Sequence, residues 1–125
     1  MQRALLPVLL LGLCAAARAG DHDDVPLYVG TWTMRLAGGD AARLVVQDWE
    51  GTWQGRGAKP ACGGRKVPIT VHHSNPTEFE FTAWGSTVSP PCPDVSFSVK
   101  PVDRRTLEGT TGTGVKVTMT RAARR

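Results

Sequence analysis

Residues 94–100 read Asp-Val-Ser-Phe-Ser-Val-Lys, and this strict alternation of apolar and polar side chains decides the fold class. Because successive side chains of a β-strand point to opposite faces, Val95, Phe97 and Val99 are expected to face a core while their neighbours face solvent. Residues 115–121 repeat the pattern, and no ten-residue window beyond position 20 shows a helical stripe. The alternation predicts an all-β protein.

Eight stretches of this kind follow one another, separated by short connections rich in glycine and proline. Links of hairpin length are typical of an up-and-down meander, and closure of eight strands into an antiparallel barrel removes the exposed edges. This barrel is the predicted fold, with a Greek-key sandwich as the alternative, and Pro68 indicates an edge or a bulge within its run. The predicted strands are 27–36, 43–49, 52–57, 66–72, 78–83, 94–100, 106–111 and 115–121.

Length and composition limit the protein to one small domain. The chain has 125 residues, of which 41% are hydrophobic and 21% charged. Such a chain has no room for a second substantial core and is too apolar for a disordered protein. These values exclude a multidomain enzyme, a coiled coil and a polytopic membrane protein.

The first nineteen residues have the plan of a secretory signal. Arg3 precedes an apolar run at 4–13, and small residues frame the end at Ala17-Arg18-Ala19. The run is shorter than the roughly 20 residues of a lasting membrane anchor, so no transmembrane segment is expected. We therefore predict cleavage after Ala19, a single β-barrel domain at 20–125, and a periplasmic or secreted protein of a bacterial envelope. A lipoprotein signal at Cys14 is the alternative.

Charge gives little support for a nucleic-acid partner. Cleavage removes Arg3 and Arg18 and lowers the formal net charge from +4 to +2. Three of the remaining basic residues, Arg121, Arg124 and Arg125, lie at the C-terminus, where a solvated tail explains them. The sequence shows no dense basic patch interleaved with aromatic residues, so no nucleic acid is expected as a partner.

Two cysteines, Cys62 and Cys92, remain after cleavage. An even pair in an exported domain predicts one disulfide, whereas a metal pair or a reactive thiol is the alternative. In an eight-stranded meander, Cys62 lies in the connection from strand three to strand four and Cys92 in that from strand five to strand six. Both connections lie at the same end of the barrel, so the two thiols can meet.

Several short motifs resemble avidin-type proteins and, more broadly, the avidin and lipocalin groups. The run Gly30-Thr31-Trp32 resembles the Gly-x-Trp opening of their first strand, 51–53 is similar to the avidin third strand, and 76–84 to a stretch that ends in a pocket tryptophan. The resemblance implies a small barrel whose closed end is plugged by Trp32 and packed near a basic residue of the last strand, here Arg121.

The polar residues that hold biotin in avidin-type sites are replaced in this chain. Met34 and Gly38 stand at the implied positions of a polar first-strand residue and a loop serine, and Trp53 replaces a tyrosine. The last strand offers Thr118 and Thr120 rather than an aspartate. Since a buried polar group without matched partners loses much affinity, biotin is not the expected ligand.

Tryptophan dominates the aromatic surface and supplies the predicted ligand site. We expect Trp49, Trp53 and Trp84 to line the barrel mouth and to stack on a flat apolar or sugar-like ligand, with Ser86 and Thr87 adding hydroxyls from the loop 84–93. The alternative places tryptophans in the core, with Trp32 as the plug and Trp53 packed in the wall.

A second candidate site lies at the mature N-terminus. Gly20-Asp21-His22 would bind Cu(II) or Ni(II) through the amine, two amides and the imidazole in a square plane. The alternative is a polar terminus without a metal, and no other cofactor is expected. His72 and His73, as neighbours in a strand, are expected on opposite faces.

No catalytic constellation occurs in the sequence, so an enzyme is not expected. The predicted function is an exported, non-catalytic binding module for a small ligand at the barrel mouth. The alternative is an envelope inhibitor or protein-interaction module that uses the proline-rich loop 84–93. The ligand and the protein partner stay unidentified.

Overall fold

A computed structural model describes residues 25–122, which form a closed antiparallel barrel of eight strands in sequence order, β1 next to β2 and so on until β8 pairs with β1. The predicted all-β meander is confirmed. Short 3-10 turns occur at Ala61–Gly64 and Gly85–Thr87. The strands are β1 Gly30–Leu36, β2 Ala41–Gln47, β3 Glu50–Arg56, β4 Lys66–Asn75, β5 Glu78–Trp84, β6 Asp94–Pro101, β7 Thr106–Thr111 and β8 Lys116–Arg121.

The meander gives the barrel two different ends. The connections 37–40, 57–65, 85–93 and 112–115 lie at one end, which we call the disulfide rim because Cys62 and Cys92 are joined there. The connections 48–49, 76–77 and 102–105 lie at the other end, together with the segment 25–29 that leads into β1. We call this the closed end.

The barrel interior is filled between these ends. Apolar residues alternate along most strands and meet inside, as the sequence periodicity predicts. Phe81 stacks on Phe97 with ring centroids 4.8 Å apart, and Phe79 lies 5.0 Å from Phe81. Among the largest fully buried side chains are Trp32, Phe79, Phe81, Phe97, Met34, Leu44, Leu107 and Met119.

The closed end is sealed by the segment 25–29. Tyr28 is buried, packs on Phe79 with ring centroids 4.7 Å apart, and donates from its hydroxyl to the Asn75 carbonyl at 2.6 Å. The Trp32 indole donates to the Tyr28 carbonyl at 2.9 Å, and the Arg121 guanidinium covers the Trp32 ring. The predicted contact between the closed-end tryptophan and the last strand is therefore present.

Several strand bounds differ from the sequence-based expectation: β2 spans Ala41–Gln47 rather than 43–49, β3 spans Glu50–Arg56 rather than 52–57, and two further differences change the local structure. β1 begins at Gly30 rather than at residue 27, because 25–29 crosses the closed end, where the Val25 amide donates to the Ser74 carbonyl. β4 continues to Asn75, and its register with β5 shifts between Val71 and His73. This bulge exposes both His72 and His73, so the expectation that they occupy opposite faces is wrong.

Among residues 25–122, no helix is long and apolar enough to cross a membrane.

Candidate functional site

The two loops of the disulfide rim that carry cysteine are joined covalently. The Cys62–Cys92 disulfide is present, and its Cα atoms are 5.4 Å apart. It links the β3–β4 connection to the β5–β6 connection, and therefore spans the mouth above the β4–β5 pair. Cys92 is buried, and its amide donates to the Ser89 carbonyl at 2.8 Å. These contacts fix both loops over the barrel opening.

An open pocket of about 570 Å³ lies beneath these loops. Its floor is formed by inward side chains from four neighbouring strands, and its upper wall by loop residues and the disulfide. This volume lies within the range of roughly 300–1,000 Å³ typical of small-molecule sites. The apolar lining residues are Trp53, Val67, Ala83, Val95, Ala61, Pro91, Pro93 and the two cysteines.

Trp53 is the most distinctive residue of this pocket. It is only 7% exposed, lies on the inward face of β3, and its ring centroid is 6.4 Å from that of Phe97. In the described part of the chain, its Nε1 is the single buried side-chain polar atom without a hydrogen-bond partner. A buried donor without an acceptor costs about 1–3 kcal/mol.

Arg65 is the one charged residue among those that line the pocket. It is exposed at the upper wall, and its Nη1 donates to the Val88 carbonyl over a long 3.4 Å. The pocket thus combines an apolar floor with a cation at the rim, and its lining contains no carboxylate. Such a set of groups suits a ligand that brings acceptors to an apolar body.

Trp84 does not line the mouth, and its predicted placement is wrong. Phe79, Phe81 and Ala83 face inward along β5, which places Trp84 on the outer wall of the barrel. There its indole donates to Thr70 Oγ1 at 2.9 Å.

Trp49 lies at the opposite end of the molecule from the pocket. It stands in the β2–β3 connection at the closed end, is 38% exposed, and accepts the Val71 amide with its carbonyl at 2.9 Å. The predicted grouping of Trp49 with Trp53 at one mouth is therefore wrong. Consecutive connections of a meander alternate between the two ends, and the β2–β3 connection that carries Trp49 lies at the end opposite the disulfide rim.

Ser86 and Thr87 are at the disulfide rim but are not among the residues that line the pocket. The Ser86 amide and hydroxyl both donate to Asp94 Oδ1, at 2.9 and 2.8 Å, and the Thr87 hydroxyl donates to the Trp84 carbonyl at 2.6 Å. Their hydroxyls thus stabilise the 3-10 turn that follows β5.

The predicted metal site at Gly20, Asp21 and His22 lies outside the described residues. Within 25–122, no group of three or more His, Cys, Asp or Glu side chains is arranged to hold a metal ion.

Sequence reasoning missed most of the pocket wall. Arg65, Pro91 and Pro93 line it because the disulfide draws two loops over the opening. The predicted pairing of the two cysteines could have indicated this wall, since it shows that the β3–β4 and β5–β6 connections must approach each other. Comparison of the chain with protein-family models, with curated proteins and with solved structures finds no significant match.

Proposed function

We propose that this protein is a non-catalytic binding module for a small, mainly apolar ligand held in the pocket at the disulfide rim. The observation that carries this proposal is the open, mainly apolar pocket of about 570 Å³ that Trp53 lines, together with the buried indole N–H of this residue, which lacks an acceptor. The proposed ligand has a compact apolar body and a carbonyl or similar acceptor.

The filled interior supports a shallow site rather than a deep one. Phe81 and Phe97 close the barrel below Trp53, so the ligand contacts the floor formed by Val67, Ala83 and Val95 and stays beneath the loops. Apolar burial supplies most of the affinity, and the indole donor orients the ligand.

The test uses acetophenone and ethylbenzene, which share a shape but differ in the carbonyl acceptor. The four tryptophans give four indole N–H signals in a ¹H–¹⁵N correlation spectrum, and Trp53→Phe assigns the relevant one. We expect saturable acetophenone binding with a downfield shift of the Trp53 signal, and weaker binding of ethylbenzene.

Trp84→Phe is the matched control, since it removes an indole from the outer wall instead of the pocket. Trp53→Phe should weaken acetophenone binding about threefold to tenfold, as expected for one neutral hydrogen bond, while Trp84→Phe should leave it unchanged. Absence of any Trp53 shift at millimolar acetophenone would refute the proposed site.

A second candidate function is a protein-interaction module that uses the loop 85–93. Pro90 and Pro91 are exposed on this loop, which the disulfide and the 2.8 Å bond from the Cys92 amide to the Ser89 carbonyl hold in place. A preorganised loop loses less entropy on binding. Substitution of Pro90, which does not line the pocket, by serine would weaken partner capture in this case and leave acetophenone binding intact.

We also propose that the chain works outside the cytoplasm, in a bacterial periplasm or after secretion. The Cys62–Cys92 disulfide supports this, because such bonds persist in oxidising compartments. An avidin-like origin of the barrel is likewise a proposal, supported by Trp32 at the closed end with Arg121 over its ring.

A further inference from the structure

Five basic side chains form a continuous band on the outer wall of the barrel, and none of them lines the pocket. Each of five neighbouring strands contributes one of them at an exposed, outward position. The members of this cation band are Lys116 on β8, Arg35 on β1, Arg43 on β2, Arg56 on β3 and Lys66 on β4.

Strand register fixes the spacing of the band. Arg35 and Arg56 lie in one cross-strand row on either side of Ala41, and Arg43 and Lys66 lie in the next row on either side of Gln54. Successive cations are therefore diagonal neighbours, about 7–8 Å apart. With strands about 4.8 Å apart, the band extends over about 19 Å from β8 to β4.

The band is not neutralised within the described part of the chain. None of its five side chains forms an ion pair with another residue of 25–122. The single acid at an outward position of these five strands is Glu50, six residues along β3 from Arg56 and thus about 20 Å away. Asp40 stands beside the band in the β1–β2 connection.

The opposite wall has the reverse charge. The outward positions of β5, β6 and β7 carry one base, Lys100, against four acids, which are Glu78, Glu80, Asp94 and Glu108. The barrel therefore has a basic wall and an acidic wall. The basic wall attracts a polyanion and the acidic wall repels it, so the molecule would approach a polyanion with its basic wall first.

A depression of about 330 Å³ lies within the basic wall, where Ala41 leaves space between longer side chains. Arg43 and Arg56 flank it, and Thr31 and Thr33 line its side. The depression therefore offers hydroxyl groups, which can bond to the hydroxyls of a sugar, beside cations, which can pair with its anionic groups.

We infer that the cation band binds an acidic polysaccharide, whose regularly spaced anionic groups pair with successive cations. A membrane surface fits less well, because the exposed large apolar side chains among the described residues gather at the closed end and none lies in the band. Single-stranded nucleic acid also fits less well, since no outward residue of β8, β1, β2 or β3 is aromatic and available for base stacking. The aromatic side chains beside the β4 end of the band, His72 and Trp84, are hydrogen-bonded to threonine side chains of the wall.

The experiment measures the dissociation constants of fluorescent heparin and polygalacturonate for the oxidised protein as a function of NaCl concentration. We expect binding of both at 50 mM NaCl and a linear fall of the logarithm of the association constant with the logarithm of the salt concentration. Arg43→Gln/Arg56→Gln should weaken binding at least tenfold and reduce the salt slope by about two, one for each contact removed.

Lys100→Gln/Arg104→Gln is the matched control, because it removes the same charge from β6 and the closed end. It should weaken binding less than threefold, and thermal unfolding should show that both variants are folded. Equal weakening by the two variants would overturn the band as the site. Failure to bind either polysaccharide, or binding of oligo(dT) or phosphatidylglycerol vesicles at least as tight, would overturn the proposed ligand.

Discussion

The guanidinium carbon of Arg121 lies 4.3 Å from the centroid of the Trp32 ring, and Arg121 Nη1 donates to the Val29 carbonyl at 2.9 Å. One side chain of the last strand thus stacks on the first strand and also holds the segment that seals the closed end. Since the pairing of β8 with β1 closes the barrel, this contact stabilises the closure.

Arg121→Gln should lower the free energy of unfolding by about 1–2 kcal/mol, because it removes both the cation–π contact and a charged hydrogen bond. Urea denaturation followed by tryptophan fluorescence measures the change. Arg104→Gln, in the exposed β6–β7 connection, is the control and should change stability by less than about 0.5 kcal/mol. Equal effects of the two substitutions would contradict the assigned role of Arg121.

Tyr28 is the only tyrosine of the chain, so absorbance at 295 nm reports its ionisation directly. Burial raises the pKa of its hydroxyl above the ordinary value of 10.0. The native protein should titrate at higher pH than the protein in 8 M urea. Because the folded state holds this proton more tightly, the associated stability is complete below pH 10 and is lost as the pH rises through the folded pKa. Coincident native and denatured titrations would refute this assignment.

Removal of the disulfide should destabilise the barrel by about 3–4 kcal/mol, the chain-entropy value for a closed loop of this size. The two cysteines are 30 residues apart. Thermal and urea unfolding of Cys62→Ala/Cys92→Ala, compared with the oxidised protein, gives the difference. Addition of reductant should not affect the double variant further. A loss below 1 kcal/mol would show that the unfolded chain is already restricted.

Gly85 is buried beneath the disulfide loop, and a Cβ atom there would lie 2.3 Å from the Pro93 carbonyl oxygen and 2.5 Å from Cys92 Sγ. Gly85→Ala should therefore cost about 1–3 kcal/mol through overpacking. Gly112→Ala is the matched control, since its nearest neighbour would be Ser96 Cβ at 3.7 Å. Chemical denaturation of both variants distinguishes them, and equal stability would contradict the tight packing of the loop.

Period-two alternation was sufficient to predict the strands and their order, because each strand of a closed barrel is half buried and each connection is short. The same alternation also fixes the side of the barrel on which Trp84 lies. With Phe79 and Phe81 facing inward, position 84 has the opposite parity and must face outward. Likewise, consecutive connections of a meander alternate between the two ends of the barrel. This alternation places Cys62 and Cys92 at one end and Trp49, in the β2–β3 connection, at the other.

Other features could not be obtained from the sequence. Pro68 indicated an edge or a bulge in this run, but the barrel is closed and Pro68 itself pairs regularly with Thr52. The bulge lies further along, between Val71 and His73, and its position depends on how β4 accommodates β5. The cation band depends on register, since a shift of one strand by two residues would bring Arg43 beside Arg35 rather than diagonal to it. The pocket depends on the conformation of the loops above it. The disulfide constrains these loops, but the alternation of apolar and polar residues gives no information about segments outside the strands.

β1 begins and β8 ends side by side at the closed end, so a pulling force on the two termini would first detach the segment 25–29 from Ser74 and Asn75 and then act on adjacent strands. β1 and β8 would then peel apart one hydrogen bond at a time rather than shear along their length. The covalent ring between Cys62 and Cys92 would withhold its 30 residues from extension, shortening the fully stretched chain by about 100 Å. Under tension the strands therefore separate from the β1–β8 pair inward, and extension stops at the disulfide, which encloses β4 and β5.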